Sequence, residues 1–368
     1  MSDWRAKASA LADELAASNE LSPQWRAAFE AMPRHLFLPG VDWNVAYAND
    51  AVVTQYKTGV ILGGGKVELA TSSASAPGVQ AVMLGRLDVH KGHRVLEIGT
   101  GTGINTGLLC FQIGEDSVYS VELDPTLTAA AQARLAEVGH RPHLRAGDGY
   151  AGWPEHAPFD RIIATCSIDH IPPAWIQQLA EGGRIVAPLT GGGDCGLLVL
   201  DKTAPDEVTG RFDNYLTAFM PLRDEIDNPI PTRSPWGVPA GPMSMDGTTT
   251  LDPRVVRDAD PDLWLWLHLH IPGLRIGGLE SEGKHSVTLA APGAEAIAEL
   301  DPVEPGRWPV HHRGHARLWD TAEHAITLWR HLGKPRRERL GITALDDPDR
   351  QYVWLDNPNS HYSWPMPL

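Results

Sequence analysis

The residues best suited to chemistry lie in a glycine-rich stretch that follows a short apolar run. Residues 95–103 read VLEIGTGTG, with glycines at three alternate positions. A strand that ends in this spacing brings peptide N–H groups close to a ligand, because glycine has no Cβ in the way. A tight strand-to-helix turn without a ligand uses the same residues. Gly99, Gly101 and Gly103 therefore predict a binding loop only in combination with further residues.

Two acidic residues follow, each at the end of a later predicted strand. Glu122 comes about twenty residues after the glycines, where a carboxylate accepts the hydroxyl protons of a ribose. Asp148 lies at the tip of a third strand, where its side chain can reach an adenine. The carboxyl ends of neighbouring parallel strands meet at one sheet edge, so these segments predict an adenosine pocket. The alternative for both carboxylates is helix capping.

The neighbouring residues narrow the choice of adenosine cofactor. The first glycine loop lacks the Gly-Lys-Ser/Thr of a phosphate loop, which disfavours ATP. Glu97 lies beside the place where a dinucleotide would put its pyrophosphate, and a carboxylate at that place repels phosphate but suits an ammonium group. The spacing E-x-G-x-G-x-G also resembles the first motif of class I methyltransferases. That resemblance favours S-adenosylmethionine over NAD.

The chain further resembles the protein-L-isoaspartate O-methyltransferase family over residues 28–222. Eight segments carry this resemblance in the family's order: 28–39 (AFEAMPRHLFLP), 46–50 (AYAND), 73–77 (SASAP), 147–153 (GDGYAGW), 158–163 (PFDRII), 171–173 (IPP), 178–184 (QLAEGGR) and 219–222 (FMPL).

The resemblance implies a set of site residues. Ser75 matches the serine that lies between the cofactor and the substrate carboxylate, although an N-cap of the helix that runs to Leu84 is its other possible role. The residues that match cofactor contacts are Ser72, Ser73, Ala74, Ser75, Glu97, Gly99, Thr100, Gly101, Gly103, Glu122, Leu123, Asp148 and Gly149. The implied chemistry needs no general base, because a carboxylate with a reference pKa of about 4 is already anionic at neutral pH.

The chain departs from the family's repair enzymes in two places. Those enzymes usually end soon after the stretch matched by residues 219–222, and residues 55–74 replace a shorter loop. The long extension resembles variants associated with ribosomally made peptides of ATP-grasp (graspetide) systems. That resemblance implies methylation of a normal Asp side chain in a precursor peptide, followed by attack of a backbone nitrogen, loss of methanol and formation of an aspartimide.

We take this peptide-maturation activity as the first hypothesis. The alternative is a protein-L-isoaspartate O-methyltransferase that repairs damaged proteins. A third hypothesis is a binding module that has kept the pocket but has lost turnover.

Apolar runs alternate with helical patterns from residue 94 onward. Nearly continuous Val/Ile strands separated by helices indicate a parallel sheet covered on both faces. We therefore predict the α/β class, with a class I methyltransferase (Rossmann-like) doubly wound sheet and a C-terminal α+β extension domain. The predicted parts are residues 1–225, the methyltransferase domain with N-terminal helices; 226–242, a Pro-rich linker; and 243–368, a domain for peptide-substrate recognition.

The C-terminal part is rich in Trp and His. Residues 263–271 (LWLWLHLHI) alternate strictly, which predicts a strand with Trp264, Trp266, His268 and His270 on one face. Residues 316–332 predict an amphipathic helix and 351–356 a last strand. The histidines near residue 312 lack a Cys or carboxylate at matching spacing, so no metal site is predicted.

Composition excludes several classes of partner. The chain has 31 Lys and Arg against 46 Asp and Glu, a net charge of −15 that repels nucleic acid. No run of about 18 apolar residues exists, so we expect no membrane span. The helical start of the chain carries acidic residues and does not resemble a signal peptide. The three cysteines of the chain are too few for a disulfide framework, so we expect a cytoplasmic protein. The family resemblance implies a peptide as its substrate.

Overall fold

The computed structural model describes residues 3–60, 66–190, 194–226, 242–271, 273–281 and 283–366. The predicted Pro-rich linker falls largely on residues 227–241, outside the described residues. Ten α-helices lie within the described part: α1 (Trp4–Ala17), α2 (Pro23–Ala31), α3 (Trp43–Ala46), α4 (Pro77–Leu87), α5 (Ile104–Ile113), α6 (Pro125–Glu137), α7 (Pro173–Gln178), α8 (Arg254–Arg257), α9 (Pro261–His270) and α10 (Leu318–His331).

The described residues also form seventeen strands: β1 (Val52–Val60), β2 (Lys66–Ala74), β3 (Val95–Ile98), β4 (Val118–Glu122), β5 (His143–Ala146), β6 (Phe159–Ala164), β7 (Leu179–Thr190), β8 (Asp194–Ala204), β9 (Glu207–Ala218), β10 (Ser244–Thr249), β11 (Arg275–Ser281), β12 (Lys284–Ala291), β13 (Ala294–Glu299), β14 (Trp308–Gly314), β15 (Leu340–Leu345), β16 (Gln351–Leu355) and β17 (Ser363–Pro365).

A ten-stranded sheet forms the centre of the molecule, in the order β17-β16-β15-β9-β8-β7-β6-β3-β4-β5. The strands from β5 to β7 run parallel, and from β7 outward each pair is antiparallel. Every residue of β3 and β4 is buried, as expected for parallel strands that helices cover on both faces. The predicted class I methyltransferase fold is confirmed.

The C-terminal extension is joined to this sheet. Its last strands, β15 to β17, lengthen the central sheet, while β10 to β14 form a separate five-stranded antiparallel sheet. One buried apolar cluster runs from Leu96 of β3 through Trp266 of α9 to Trp319 of α10. A second cluster lies on the other sheet face beneath α1, α2, α4 and α5. The residues on either side of the predicted linker therefore share a core.

The predicted strand at residues 263–271 is wrong, because this segment forms helix α9. The Asp260 side chain accepts hydrogen bonds from the N–H groups of Asp262 and Leu263, and Pro261 occupies the first turn. These are strong start signals for a helix. A helix that is apolar on nearly all sides is stable only when it is buried, and α9 lies within the core. The ring centroids of Trp264 and His268 lie 3.5 Å apart, one helical turn along.

Other C-terminal predictions agree with the structure. Helix α10 falls within residues 316–332, and β16 matches the predicted strand at 351–356, although β17 follows it. In β17 the indole Nε1 of Trp364 donates to the carbonyl oxygen of Leu269 at 2.7 Å. None of the helices in the described part of the chain has the length and apolar character needed to cross a membrane.

Burial of His270 predicts a loss of stability in acid. Burial lowers the pKa of this imidazole from 6.5 to about 4. The unfolded chain therefore binds a proton at higher pH than the folded one, and stability falls as pH drops from 6.5 towards 4. Two and a half pKa units correspond to about 3 kcal/mol. Urea unfolding of the wild type and of His270→Phe at several pH values measures this, and equal pH dependence of the two proteins would contradict it.

Candidate active site

A cavity of about 230 Å³ opens at the carboxyl ends of the parallel strands. The glycine loop after β3 and the tips of β4 and β6 form one side. Hairpin β1–β2 and residues 218–223, which we call the strap, form the other. Predicted site residues in the cavity wall are Ser72, Ser73, Ser75, Gly99, Gly101, Glu122, Leu123 and Gly149.

The glycine loop has a backbone that side chains would strain. Gly99 has φ +93°, and a Cβ at this position would lie 2.9 Å from Thr165 Oγ1. Gly103 has φ +92°, and its Cβ would lie 3.1 Å from Ala131 Cβ on α6. Left-handed backbone at these positions favours glycine. Gly99 therefore shapes the cavity wall, whereas Gly103 allows the close approach of two helices behind it.

Glu122 presents a buried carboxylate to the cavity. The residue is 7% exposed. Its Oε2 accepts from the N–H of Gly101 at 2.9 Å, and Oε1 accepts from the N–H of Asp124 at 3.2 Å. Burial raises the pKa of this carboxyl, and the two N–H donors oppose that shift. Helix α6 is capped by Asp124, whose Oδ1 accepts from the N–H of Thr126. Helix capping therefore does not explain Glu122.

Glu97, which the sequence places beside the ligand, lies outside the cavity wall. It is fully buried and accepts hydrogen bonds from the side chains of Asn105, Thr106 and Ser120. Burial raises the pKa of this carboxyl. Its side chain ties β3 to the first turn of α5 and to β4. Sequence spacing placed Glu97 at the correct loop but on the wrong side of it.

Three other predicted residues are not part of the cavity wall. Asp148 Oδ1 accepts from the N–H of Tyr150 at 2.9 Å, which caps a short 3-10 turn. Thr100 Oγ1 lies 2.6 Å from Ser120 Oγ. Ala74 is buried in the apolar cluster beneath α4. These residues support the loops that form the wall.

Ser75 lies in the cavity wall between β2 and α4. The cap position of α4 is Ala76, so the predicted N-cap role of Ser75 is wrong. The carbonyl oxygen of Ser75 accepts from Arg34 Nη2 at 2.8 Å. The buried Arg34 also donates to Ala46 and Gln80, and burial lowers its pKa to about 10. The hydrogen bond from Arg34 therefore holds the Ser75 backbone in place.

Several residues of the wall are not among the predicted ones, including Thr165, Cys166 and Arg223. Thr165 and Cys166 follow β6, and Arg223 ends the strap. Burial raises the pKa of the Cys166 thiol. The rule that adjacent parallel strand tips line a ligand site would have pointed to Thr165 and Cys166. Nothing in the sequence signalled Arg223. In the described residues, no cluster of three His, Cys, Asp or Glu side chains is arranged to hold a metal ion.

The strap and the hairpin close the cavity. The N–H of Leu222 donates to the carbonyl oxygen of Ser167 at 2.7 Å, which fixes the strap along the tip of β6. On the hairpin, Gln55 Nε2 donates to Asp124 Oδ2 at 3.2 Å, and Lys57 Nζ lies 3.6 Å from the same oxygen. Of residues 55–74, the described parts 55–60 and 66–74 therefore lie in the paired strands β1 and β2, which border the cavity.

Comparison with known proteins identifies the family. Residues 6–227 match the family described as protein-L-isoaspartate(D-aspartate) O-methyltransferase. Protein-L-isoaspartate O-methyltransferase 1 of Anaeromyxobacter sp. (strain Fw109-5) is 39% identical over 217 residues, covering 58% of this chain and 93% of that protein. The protein-L-isoaspartate O-methyltransferase of Gloeobacter violaceus is 34% identical over 201 residues, covering 54% and 89%.

A solved structure called protein-L-isoaspartate O-methyltransferase aligns with 95% of this chain and 100% of its own, with a TM-score of 0.57 and 22% identity. This likeness shows the fold, and it extends beyond the residues that the family match covers. The chain belongs to the protein-L-isoaspartate(D-aspartate) O-methyltransferase family and is an S-adenosylmethionine-dependent carboxyl O-methyltransferase.

Proposed function

We propose that the enzyme methylates the free carboxylate of an isoaspartyl or D-aspartyl residue in a polypeptide. The support is the family match over residues 6–227 together with relatives that carry the name protein-L-isoaspartate O-methyltransferase. From the sequence alone this activity is the second hypothesis, behind peptide maturation. The comparisons favour it, because the relatives reported above are named for this substrate.

The residues in the cavity wall fit the cofactor. Glu122 offers carboxylate oxygens for ribose hydroxyls, and its neighbours Val121 and Leu123 add the apolar surface that a purine needs. The glycine loop at residues 99–101 has no side chain that would keep a ligand from the backbone. We assign these residues, with Ser72 and Ser73, to cofactor binding. When bound, S-adenosylmethionine supplies a methyl group activated by its sulfonium charge.

The chain's own residues then have to orient the acceptor and exclude water. An acceptor carboxylate is anionic at neutral pH, so no residue needs to remove a proton. The Ser75 hydroxyl can donate to one carboxylate oxygen and aim the other at the methyl group. The strap and the hairpin exclude water, which strengthens this hydrogen bond. The presence of Ser75 in the same wall as Glu122 is the observation that carries the proposal.

Removal of the Ser75 hydroxyl is expected to lower kcat/KM about ten- to a hundred-fold, since a hydrogen bond to a charged group contributes roughly 1.5–3 kcal/mol. Ser75→Ala and wild type are compared by methyl transfer to an isoaspartyl peptide and to its normal aspartyl twin. S-adenosylhomocysteine affinity should stay the same, because Ser75 is assigned to the acceptor. Ser363→Ala, exposed in β17, is the control.

The same assay tests the whole proposal. Equal activity on the two peptides, or activity only on the aspartyl one, would overturn it. Cofactor binding without release of S-adenosylhomocysteine on any peptide would instead favour a binding module.

Peptide maturation is the second candidate. The observation in its favour is that the C-terminal extension, residues 242–366, lies beyond the matched family segment and shares a core with the methyltransferase sheet. In this proposal the extension holds a cyclised precursor peptide. Mass spectrometry would detect methylation of an Asp side chain and then loss of methanol. Methylation confined to isoaspartyl peptides would exclude this candidate.

A further inference from the structure

Arg223 is a buried cation in the wall of the cavity. It is the last residue of the strap and is 8% exposed. Transfer of a guanidinium from water into a protein interior costs several kcal/mol unless a partner compensates its charge. Buried arginines are therefore usually paired with carboxylates. The partners of Arg223 indicate whether the chain supplies that compensation.

The hydrogen-bond acceptors of Arg223 are all neutral. Nη1 donates to the carbonyl oxygens of Glu225 at 3.4 Å and Ile226 at 3.2 Å, and Nη2 donates to that of Thr71 at 3.4 Å. These distances are at or beyond the long end of the usual 2.7–3.2 Å range. Within the part of the chain that the structure describes, no carboxylate forms an ion pair with this side chain. Glu122 is close enough for the charge of Arg223 to lower the pKa of its carboxyl, but the two are not hydrogen-bonded.

Arg34 provides a contrast within the same molecule. It is also buried and also donates to three neutral oxygens, those of Ala46, Ser75 and Gln80, but at 2.8–3.0 Å. Arg34 does not line the cavity, and it is held by short bonds that join three segments. Arg223 has longer bonds and faces the cavity. Its position is the one expected of a ligand-binding group rather than of a structural one.

The N–H groups of Arg223 that have no acceptor in the described residues are suited to bind a carboxylate. A guanidinium carries five N–H groups in a rigid fork. Three of them meet the carbonyl oxygens, which leaves one on Nε and one on Nη2 without an acceptor in the described residues. Paired N–H groups of this kind bind the two oxygens of a carboxylate, and the bond is charge-assisted.

We propose that Arg223 binds a carboxylate group inside the cavity. The proposed reaction brings two such groups to this place, the methionine carboxylate of the cofactor and the acceptor carboxylate of the polypeptide. The second source rests on the proposed function. In either case Arg223 neutralises and orients an anion that the net charge of −15 would otherwise repel.

Arg223→Gln and Arg223→Lys separate the two sources. Titration calorimetry measures S-adenosylhomocysteine, which has the methionine carboxylate, and 5′-methylthioadenosine, which lacks it. If the cofactor is the ligand, Arg223→Gln weakens S-adenosylhomocysteine about ten- to a hundred-fold and leaves 5′-methylthioadenosine unchanged. If the acceptor is the ligand, both isotherms stay unchanged, and the KM for an isoaspartyl peptide rises by a similar factor. In both cases Arg223→Lys retains part of the wild-type affinity, because it keeps the charge.

The controls cover loss of structure and failure of the proposed function. Arg330→Gln, on the exposed end of α10, should match wild type in every measurement. Unchanged values for all three ligands in Arg223→Gln would overturn the proposal. An equal loss of affinity for S-adenosylhomocysteine, 5′-methylthioadenosine and the peptide, together with a lowered Tm, would also overturn the proposal. Arg223 would then only hold the strap in place. If wild type methylates no isoaspartyl peptide, the proposed function fails, and the two isotherms alone decide the role of Arg223.

Discussion

Replacement of Glu122 by alanine is expected to weaken S-adenosylmethionine binding about ten- to a hundred-fold, since a hydrogen bond to a charged group contributes roughly 1.5–3 kcal/mol. Two losses add in the same direction. The variant lacks the carboxylate assigned to the ribose hydroxyls, and the N–H of Gly101 loses the acceptor that holds the glycine loop. Titration calorimetry with S-adenosylmethionine and S-adenosylhomocysteine measures the change.

A conservative variant and a control variant accompany this prediction. Glu122→Gln keeps one acceptor oxygen and should lose less affinity than alanine. Glu137→Ala removes an exposed carboxylate from α6 and should bind as the wild type does. Wild-type affinity in Glu122→Ala would show that the cofactor does not contact this strand tip. The assignment of the cavity as the cofactor site would then be wrong.

Replacement of Trp266 by alanine is expected to lower the free energy of unfolding by about 3–5 kcal/mol, the usual cost of removing a large aromatic side chain from a core. Trp266 is fully buried in α9, and its Nε1 donates to the carbonyl oxygen of Ala325 in α10 at 2.8 Å. Its ring centroid lies 5.3 Å from that of Trp364 in β17. The side chain thus connects the extension with the end of the central sheet. Urea unfolding monitored by fluorescence and by circular dichroism measures the loss.

The result also tests whether the extension and the methyltransferase sheet unfold together. Because one apolar cluster spans both, the variant should unfold in a single transition at lower urea. Its affinity for S-adenosylhomocysteine at low temperature should stay within about two-fold of wild type, since the sites are separate. Tyr362→Ala, which truncates an exposed aromatic side chain, is the control. Two separate transitions would contradict the shared core and support an independent C-terminal domain.

The position of the site could be predicted from local sequence. The glycine spacing and the carboxylate at the end of the next strand identify residues of the cavity wall, whereas the serines of the wall are assigned only by the family resemblance. Local patterns succeed at this edge because parallel strands of similar length put their carboxyl ends side by side. Which side of the loop each side chain faces depends on packing. For that reason Glu97 was placed in the cavity although Asn105, Thr106 and Ser120 bind it beneath the loop.

In the C-terminal half, local sequence predicts less of the structure and long-range contacts determine more of it. The alternation in residues 263–271 predicts a strand, yet burial on nearly all sides makes the same leucines and tryptophans stable as a helix. No local pattern shows that β15, β16 and β17 join the sheet of the N-terminal half, since strand pairing is a contact between distant residues.

The parallel strands, the glycine loop and the chemistry at the strand tips can be predicted from local sequence, because periodicity and glycine spacing act over a few residues. The position of Arg223 in the cavity wall, that of Glu97 outside it, and the core that the extension shares with the central sheet follow only from the fold. Each of these depends on segments far apart in the chain, whose contacts are selected by burial and charge compensation rather than by neighbouring residues.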